Sequence, residues 1–138
     1  MITRRTLAIA AGVAGVAVSV YLTILHFAGF VPACPVTSHV NCEVVLSSQY
    51  GLIAGTTIPT SAAGIVWFAV SVVLWLRPFG WMQLAWSAIG LATVLYLVFV
   101  EIVQLGAICL WCTAAHLLVL FIFLLALMLW SERAEVGG

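Results

Sequence analysis

Long apolar stretches separated by short polar breaks are the main pattern along this chain. Four such stretches run over residues 6–29, 59–76, 81–103 and 109–130. A helix rises about 1.5 Å per residue, so the first stretch alone covers about 36 Å and exceeds the roughly 30 Å of a bilayer's hydrocarbon core. The pattern predicts an all-α membrane protein: a single domain, residues 1–138, built as a bundle of four transmembrane helices.

The connection between the first two stretches, residues 30–58, is long for a link inside a compact bundle. Asn41 in this connection is a natural N-cap, and five side chains after it recur at helical spacing, namely Cys42, Val45, Leu46, Gln49 and Tyr50. We therefore expect the connection to carry a short helix lying on the membrane surface.

The second apolar stretch has recognisable start and stop signals. Pro59 suits the first position of a helix, with Thr57 as a nearby cap, and Arg77-Pro78-Phe79-Gly80 ends the helix. Its opening, from Ser61 to Gly64, carries only small side chains. Either a neighbouring helix or a flat ligand can therefore approach the backbone closely at this point.

The composition fits a protein that lies in a membrane. Hydrophobic residues make up 66% of the chain and charged residues only 6%, with a mean hydropathy of +1.32, whereas a soluble domain has about 25% charged residues. Four basic residues balance four acidic ones, which gives no sign of nucleic-acid binding. The first stretch also resembles a secretory or twin-arginine signal, but it exceeds the usual 7–15-residue apolar region, so we expect it to stay as a helix.

The placement of charge predicts how the helices are oriented. Arg4 and Arg5 precede the first helix, Arg77 lies in the link between the second and third helices, and Arg133 follows the fourth helix. By the positive-inside rule, both termini are then cytoplasmic and the loop 30–58 is extracytoplasmic, as is the start of the fourth helix. Glu101 and His26 are expected at the membrane interface, at the outer ends of the third and first helices.

This orientation places all four cysteines of the chain at one extracytoplasmic surface, where disulfide chemistry belongs. Cys109 and Cys112 lie one turn apart if the fourth stretch is helical, close enough for a disulfide once the first turn relaxes. A helix N-terminus also favours the thiolate, which is the attacking species. Cys34 and Cys42 are eight positions apart and can close a small ring.

Other uses of the cysteines remain open on the residues alone. The four thiols can form a zinc site, or each pair can serve only as a structural disulfide. Zinc clusters favour tighter spacing and a reducing compartment, so we expect no metal. We expect no covalent haem because Thr113, rather than a histidine, follows Cys112. A thioredoxin domain is excluded because no alternation of strands and helices surrounds the motif.

The order of the motifs carries a resemblance to a known family. The chain reads Cys34-x7-Cys42, Val45-Leu46-Ser47-Ser48-x-Tyr50-Gly51, Ile58-Pro59-x-Ser61-x-x-Gly64 and Cys109-x-x-Cys112. Together these motifs resemble the vitamin K epoxide reductase family, especially its bacterial members, over about residues 8–130. The resemblance implies a four-helix bundle around a quinone, with Cys109 and Cys112 as the active-site pair and Cys34 and Cys42 as the shuttle pair of the loop.

The resemblance also implies a reaction. Electrons pass from a separate, reduced, extracytoplasmic thioredoxin-fold (DsbA-like) protein through the loop pair and then the helix pair to a membrane quinone, such as menaquinone, ubiquinone or phylloquinone. The result is disulfide formation in exported proteins. The alternatives are reduction of a vitamin K quinone or epoxide by the same dithiol, and a non-catalytic membrane protein with structural disulfides or bound metal.

The residues expected to contact the quinone are five polar, small or aromatic ones near the cysteines: Ser48, Ser61, Gly64, Trp111 and His116. His116 lies on the same helix face as Cys109 and Cys112, about 10 Å below Cys109. It occupies the position where vertebrate members of the family have a tyrosine. Because an intramembrane ionisable residue is costly, His116 is expected to donate a hydrogen bond to a quinone carbonyl or, alternatively, to a neighbouring helix.

The position of each thiol also predicts an order of exchange. Cys42 begins the expected surface helix and Cys109 is the outer member of its pair, so these two are expected to form the mixed disulfide through which exchange must pass. Cys112, about 4.5 Å deeper, is expected to face the quinone and to resolve that bond. Cys34 is then left to exchange with the soluble partner.

Overall fold

The protein is described here by a computed structural model that covers residues 2–77 and 80–138. Pro78 and Phe79, which belong to the predicted stop of the second helix, lie outside the described residues. The described residues are mostly helical, with α1 and α2 before the second apolar stretch, α3 within it, and α4 and α5 after it. The helices are α1 (Arg4–Ala28), α2 (Cys42–Ser47), α3 (Thr60–Leu76), α4 (Trp81–Phe99) and α5 (Leu110–Gly137).

Three of these helical segments are long enough and apolar enough to cross a membrane: Arg4–Ala28, Trp81–Leu105 and Leu110–Gly137. The second of them is α4 extended by one turn of π-helix, Val100–Leu105. The fourth predicted span corresponds to α3, which is apolar but has 17 residues. The structure therefore shows three spanning candidates, and a fourth span at α3 remains a prediction.

Several helix boundaries differ from those predicted, each for a local reason. Pro59 is the N-cap of α3 rather than its first residue, because its backbone is extended. Cys109 likewise caps α5 instead of beginning it, and its sulfur accepts a hydrogen bond from the Cys112 backbone N–H. The C-terminal helix continues beyond Trp130 to Gly137, which adds polar residues to an apolar helix.

The predicted surface helix is shorter than its spacing suggested. It comprises Cys42–Ser47, and the Asn41 side chain accepts a hydrogen bond from the Val44 N–H at its start. Ser48 is extended and ends the helix, after which Gln49–Gly51 form a separate 3-10 turn. The helical spacing therefore spans two short elements rather than one.

The helices pack around α1, which contacts both α3 and α5, while α4 packs on α5. Small residues allow these close approaches: a side chain at Gly15 of α1 would collide with the ring of Phe68 on α3. Between α3 and α4, Trp67 and Trp86 stack at 6.2 Å, and each indole N–H donates a hydrogen bond to the backbone oxygen of the other. These contacts fix α1, α3 and α4, which surround the cavity described below together with α5.

The end of the bundle opposite the cysteines gathers the basic residues. Arg5 donates a hydrogen bond to the Leu76 carbonyl at 2.8 Å, which joins the start of α1 to the end of α3. Arg4 pairs with Glu132 near the end of α5. The arginines that the sequence places on one side of the membrane therefore lie at one end of the folded chain.

Candidate functional site

A short backbone bridge joins the loop to the segment before α5. Val40 and Ile108 form a parallel bridge, in which the Asn41 N–H donates to the Ile108 carbonyl at 3.0 Å and the Ile108 N–H donates to the His39 carbonyl at 2.8 Å. Cys42 lies two residues after Val40, and Cys109 directly follows Ile108. The bridge therefore holds one cysteine of each pair at the same place.

The two cysteine pairs share one buried cluster. Cys42 and Cys109 are 1% and 0% exposed and form this cluster with Val45 and Ala107, while Cys34 and Cys112 pack against it. Cys34 and Cys42 form a disulfide, whereas Cys109 and Cys112 are free thiols. Cys34 is half-buried, which makes it the more accessible sulfur of the loop pair. This arrangement has an oxidised loop pair beside a reduced helix pair.

The sulfur of Cys109 lies in a setting that favours the thiolate. It precedes the first residue of α5 and accepts a hydrogen bond from the Cys112 backbone N–H at 3.2 Å. Hydrogen bonding from the side chain of Cys112 is the main cause that lowers the pKa of the Cys109 thiol, and the backbone N–H groups of the first helical turn act in the same direction. Cys109 is therefore the thiol suited to attack a neighbouring disulfide.

Trp111, between the two thiols, anchors the other end of the loop. Its indole N–H donates to the Ala33 carbonyl at 2.9 Å, one residue before Cys34, and its ring packs against Tyr21 at 4.8 Å. The loop is thus attached to the region around the start of α5 just before each of its two cysteines. Trp111 holds the loop by these contacts.

A cavity of about 730 Å³ opens between the helices below the cysteines. Cys112 and His116 of α5 line it, as do Ser61 and Gly64 of α3. Its remaining walls are mostly apolar and include the stacked pair of Trp67 and Trp86. The volume lies within the roughly 300–1,000 Å³ that is usual for small-molecule sites.

The loop covers the mouth of this cavity and is fixed there by hydrogen bonds. Thr60, at the start of α3, donates its hydroxyl to the Tyr50 carbonyl at 3.1 Å. Residues 53–58 form a turn, in which the Ile53 N–H donates to the Ile58 carbonyl at 2.9 Å. Tyr50, Gly51 and Leu52 therefore reach the cavity wall, whereas residues 53–58 form an exposed turn beside it.

Three of the five predicted quinone contacts line the cavity. Ser61 and Gly64 do so while also supporting helix packing: the hydroxyl oxygens of Ser61 and Thr23 lie 2.8 Å apart, and a Cβ at Gly64 would come within 2.7 Å of the Ser19 hydroxyl. His116 is the third. The small residues at the start of α3 thus allow α1 to approach closely and also leave this part of α3 open to the cavity.

The other two predicted contacts lie outside the cavity lining, although both belong to the described ranges. Ser48 donates its hydroxyl to the Val45 carbonyl at 2.7 Å, which satisfies the end of α2. Trp111 faces Tyr21 and the loop. Each polar group already has a backbone partner, and contact of either residue with a quinone stays a prediction.

Glu101 lies at the end of the third predicted span, in the π-helical turn that follows α4, and its position at the membrane interface stays a prediction. Burial of its side chain inside the protein, where it is 5% exposed, was not predicted from the sequence. One carboxylate oxygen accepts a hydrogen bond from the Cys109 N–H at 3.2 Å, and the other lies 4.0 Å from Nδ1 of His116. Glu101 is an acidic residue in an apolar stretch, eight residues before Cys109, and this pattern could have indicated a buried functional position.

The residues that can bind metal do not form a cluster in the structure. Among residues 2–77 and 80–138, no group of three or more histidine, cysteine or acidic side chains is arranged to hold a metal ion. Two of the thiols that a zinc site needs are joined in the Cys34–Cys42 disulfide. The geometry around the thiols is that of paired redox groups.

Comparison with known proteins places the chain in a family context. The model of the vitamin K epoxide reductase family matches residues 6–127, which is most of the 138-residue chain. A comparison with curated proteins gives no match. The matched region contains α1 to α4, both cysteine pairs and most of α5.

Proposed function

The chain belongs to the vitamin K epoxide reductase family, and from this premise we propose that it oxidises a separate extracytoplasmic thioredoxin-fold protein and passes the electrons to a membrane quinone. Membership makes it a quinone-linked disulfide oxidoreductase, and its long apolar helices indicate membrane insertion. The partner, the direction of transfer and the residue roles are the proposal. The output is disulfide formation in exported proteins.

The observation that carries this proposal is the bridge between Val40 and Ile108. It brings Cys42 and Cys109 into one buried cluster, while Cys112 reaches the cavity wall. Two redox pairs therefore lie in series between an accessible loop and an enclosed apolar cavity. A structural disulfide that only fastens the loop does not need a second, reduced pair beside it.

The electron route follows from the order of burial. A reduced partner attacks the half-buried Cys34 and reduces the loop disulfide, and the loop thiols then reduce an oxidised helix pair through a bond between Cys42 and Cys109. Cys112 completes the helix disulfide when that pair is oxidised again. Each exchange forms one sulfur–sulfur bond and breaks another, so two electrons move inward per cycle.

The cavity fits a quinone head group by size and lining. Its apolar walls suit a flat ring, Gly64 leaves the α3 backbone open to close approach, and His116 offers a ring nitrogen to a carbonyl oxygen. When bound, the quinone supplies the oxidant, since it accepts two electrons and two protons. The residues of the chain that would hold it are Ser61, Gly64 and His116, with Cys112 as the adjacent thiol.

Quinone-dependent cycling of the thiols tests this function. In detergent or liposomes, the dithiothreitol-reduced protein, freed of reductant, is mixed with ubiquinone-1, and thiols are counted by alkylation and mass spectrometry. We expect Cys109 and Cys112 to become oxidised together with stoichiometric loss of quinone absorbance. Thiols that remain reduced would fit structural disulfides or a metal site and would contradict the proposal. Oxidation by a quinone epoxide in the same assay would favour the alternative substrate.

The proposed compartment gives a second expected result. An impermeant maleimide added to intact cells after mild reduction should label Cys34, because the cysteine end is extracytoplasmic and Cys34 is the accessible thiol. The matched control is Glu135→Cys, which places a thiol at the arginine end. That thiol should react only after the membrane is opened. Labelling of the Glu135→Cys site alone in intact cells would reverse the orientation.

A further inference from the structure

Glu101 is buried, and among residues 2–77 and 80–138 it has no lysine or arginine partner. The chain has no lysine, and its arginines flank the opposite helix ends, where Arg4 and Arg5 are already engaged. An isolated ionised carboxylate in such a place is very costly, so burial favours the protonated, neutral acid, which can pass its proton only to a group close to it. The titratable groups nearest to it are Cys109, Cys112 and His116, all from α5 and its cap.

The two oxygens of Glu101 face two different partners. Oε2 accepts the backbone N–H of Cys109, and Oε1 faces Nδ1 of His116 at 4.0 Å. Glu101 and His116 also line the cavity together with Cys112. The carboxylate therefore lies between the dithiol and the one cavity-lining histidine of α5. Glu101 itself lies in the π-helical turn that follows α4, a kind of turn that is frequent at functional sites.

We propose that Glu101 and His116 form a proton relay that couples oxidation of the Cys109–Cys112 dithiol to quinone reduction. This inference rests on the proposed function and assigns it a residue that the sequence did not single out. Glu101 is the intermediate proton carrier of the relay, and His116 is its delivery group on the cavity wall.

The relay balances the reaction. Oxidation of the dithiol forms the bond between the two Sγ atoms and releases two electrons and two protons. Glu101 takes up one proton from the dithiol. Once Oε1 and Nδ1 of His116 close from 4.0 Å to hydrogen-bond distance, Glu101 passes a proton to Nδ1, and His116 releases the proton on Nε2 into the cavity. The second proton leaves from the Cys112 side, because Cys112 itself lines the cavity. The electrons and protons thus reach the cavity in equal number.

The Glu101→Gln variant distinguishes a role of Glu101 in proton transfer from a role in positioning Cys109. The amide keeps the size of the side chain and can still accept the Cys109 N–H through its oxygen, but it cannot take up a proton. We expect single-turnover reduction of ubiquinone-1 by the reduced protein to fall about 10²-fold or more, the usual scale for loss of a positioned proton carrier. Exchange between the loop and helix pairs should stay within about threefold of the parent rate, because no relayed proton enters that step.

A second readout needs no quinone. Infrared difference spectra between the disulfide and dithiol forms should contain a carboxyl carbonyl band that is absent in Glu101→Gln and present in Glu101→Asp. The matched control is Glu135→Gln, which removes an exposed carboxylate at the far end of α5 and should leave both rates and the band unchanged. Glu101→Asp also tests folding, since it keeps the acid if the amide variant does not fold.

The outcomes distinguish two failures. If the parent protein does not reduce ubiquinone-1, the proposed function itself fails. If the parent does and Glu101→Gln reduces it equally fast with an unchanged band, only the relay is overturned. The relay is also overturned if Glu101→Gln slows thiol exchange between the two pairs as much as it slows reduction of ubiquinone-1, because Glu101 then only positions Cys109.

Discussion

Replacing Cys112 with serine is expected to abolish electron transfer to the quinone and to leave Cys42 joined to Cys109. Cys109 Sγ belongs to the same buried cluster as Cys42, and its thiolate is favoured at the α5 cap. It attacks the loop disulfide at Cys42 and releases Cys34 as a free thiolate. In Cys112→Ser no second thiol is present on α5 to resolve this bond, so the mixed disulfide accumulates.

The released Cys34 gives this variant a second signature. Because Cys34 is half-buried and lies beside the exposed Pro35, it can attack the disulfide of an oxidised thioredoxin-fold protein and hold it as a covalent adduct. Non-reducing peptide mapping of the purified variant reports both bonds. Quinone reduction should fall to the uncatalysed background, because the thiol that lines the cavity is gone.

The matched control for this experiment is Cys109→Ser, which keeps the deeper thiol and removes the outer one. Cys112 lines the cavity and lies one turn further into the helix, so we expect no bond from it to the loop. A Cys34–Cys109 bond in Cys112→Ser would reverse the two loop roles. The absence of any bond between loop and helix at every redox poise would remove the central step of the electron route.

The sequence predicts the long helices because their apolar runs are set by simple periodicity and length. The predicted spans 6–29 and 81–103 correspond closely to Arg4–Ala28 and Trp81–Leu105. The membership of the family is also confirmed, because four cysteines in a fixed order with small and hydroxyl residues are specific. Boundaries fared less well, since capping by Pro59 and Cys109 depends on backbone angles that composition does not reveal.

Contacts between distant segments lie beyond what spacing can predict. The pairing of Val40 with Ile108 joins residues 68 positions apart through backbone groups, which every residue type carries. The burial of Glu101 depends in turn on the π-helical turn that contains it. By position, Ser48 corresponds to a serine near the loop cysteines in the family that the chain resembles, but its hydroxyl donates to the Val45 carbonyl at the end of α2. The orientation of the Ser48 side chain is therefore set by a nearby hydrogen-bond acceptor, which residue type alone does not reveal.

His116→Phe is expected to lower quinone turnover about 10²-fold while leaving thiol exchange between the two pairs intact. The His116 side chain is 11% exposed and lines the cavity one turn below Cys112. Phenylalanine keeps a flat ring of similar size but has no nitrogen to donate a hydrogen bond to a carbonyl oxygen or to accept a proton from Glu101. The loop pair and Cys109 lie above this point and do not depend on the ring.

The substitution also removes the partner of a buried carboxylate, so loss of stability must be separated from loss of function. The double variant His116→Phe with Glu101→Gln removes that charge, and we expect it to melt close to the parent temperature in detergent yet to reduce ubiquinone-1 as slowly as His116→Phe. His39→Phe, on the exposed loop, is the matched histidine control. If His116→Phe stays folded and keeps both its quinone affinity and its turnover, the histidine serves only to bond a neighbouring helix.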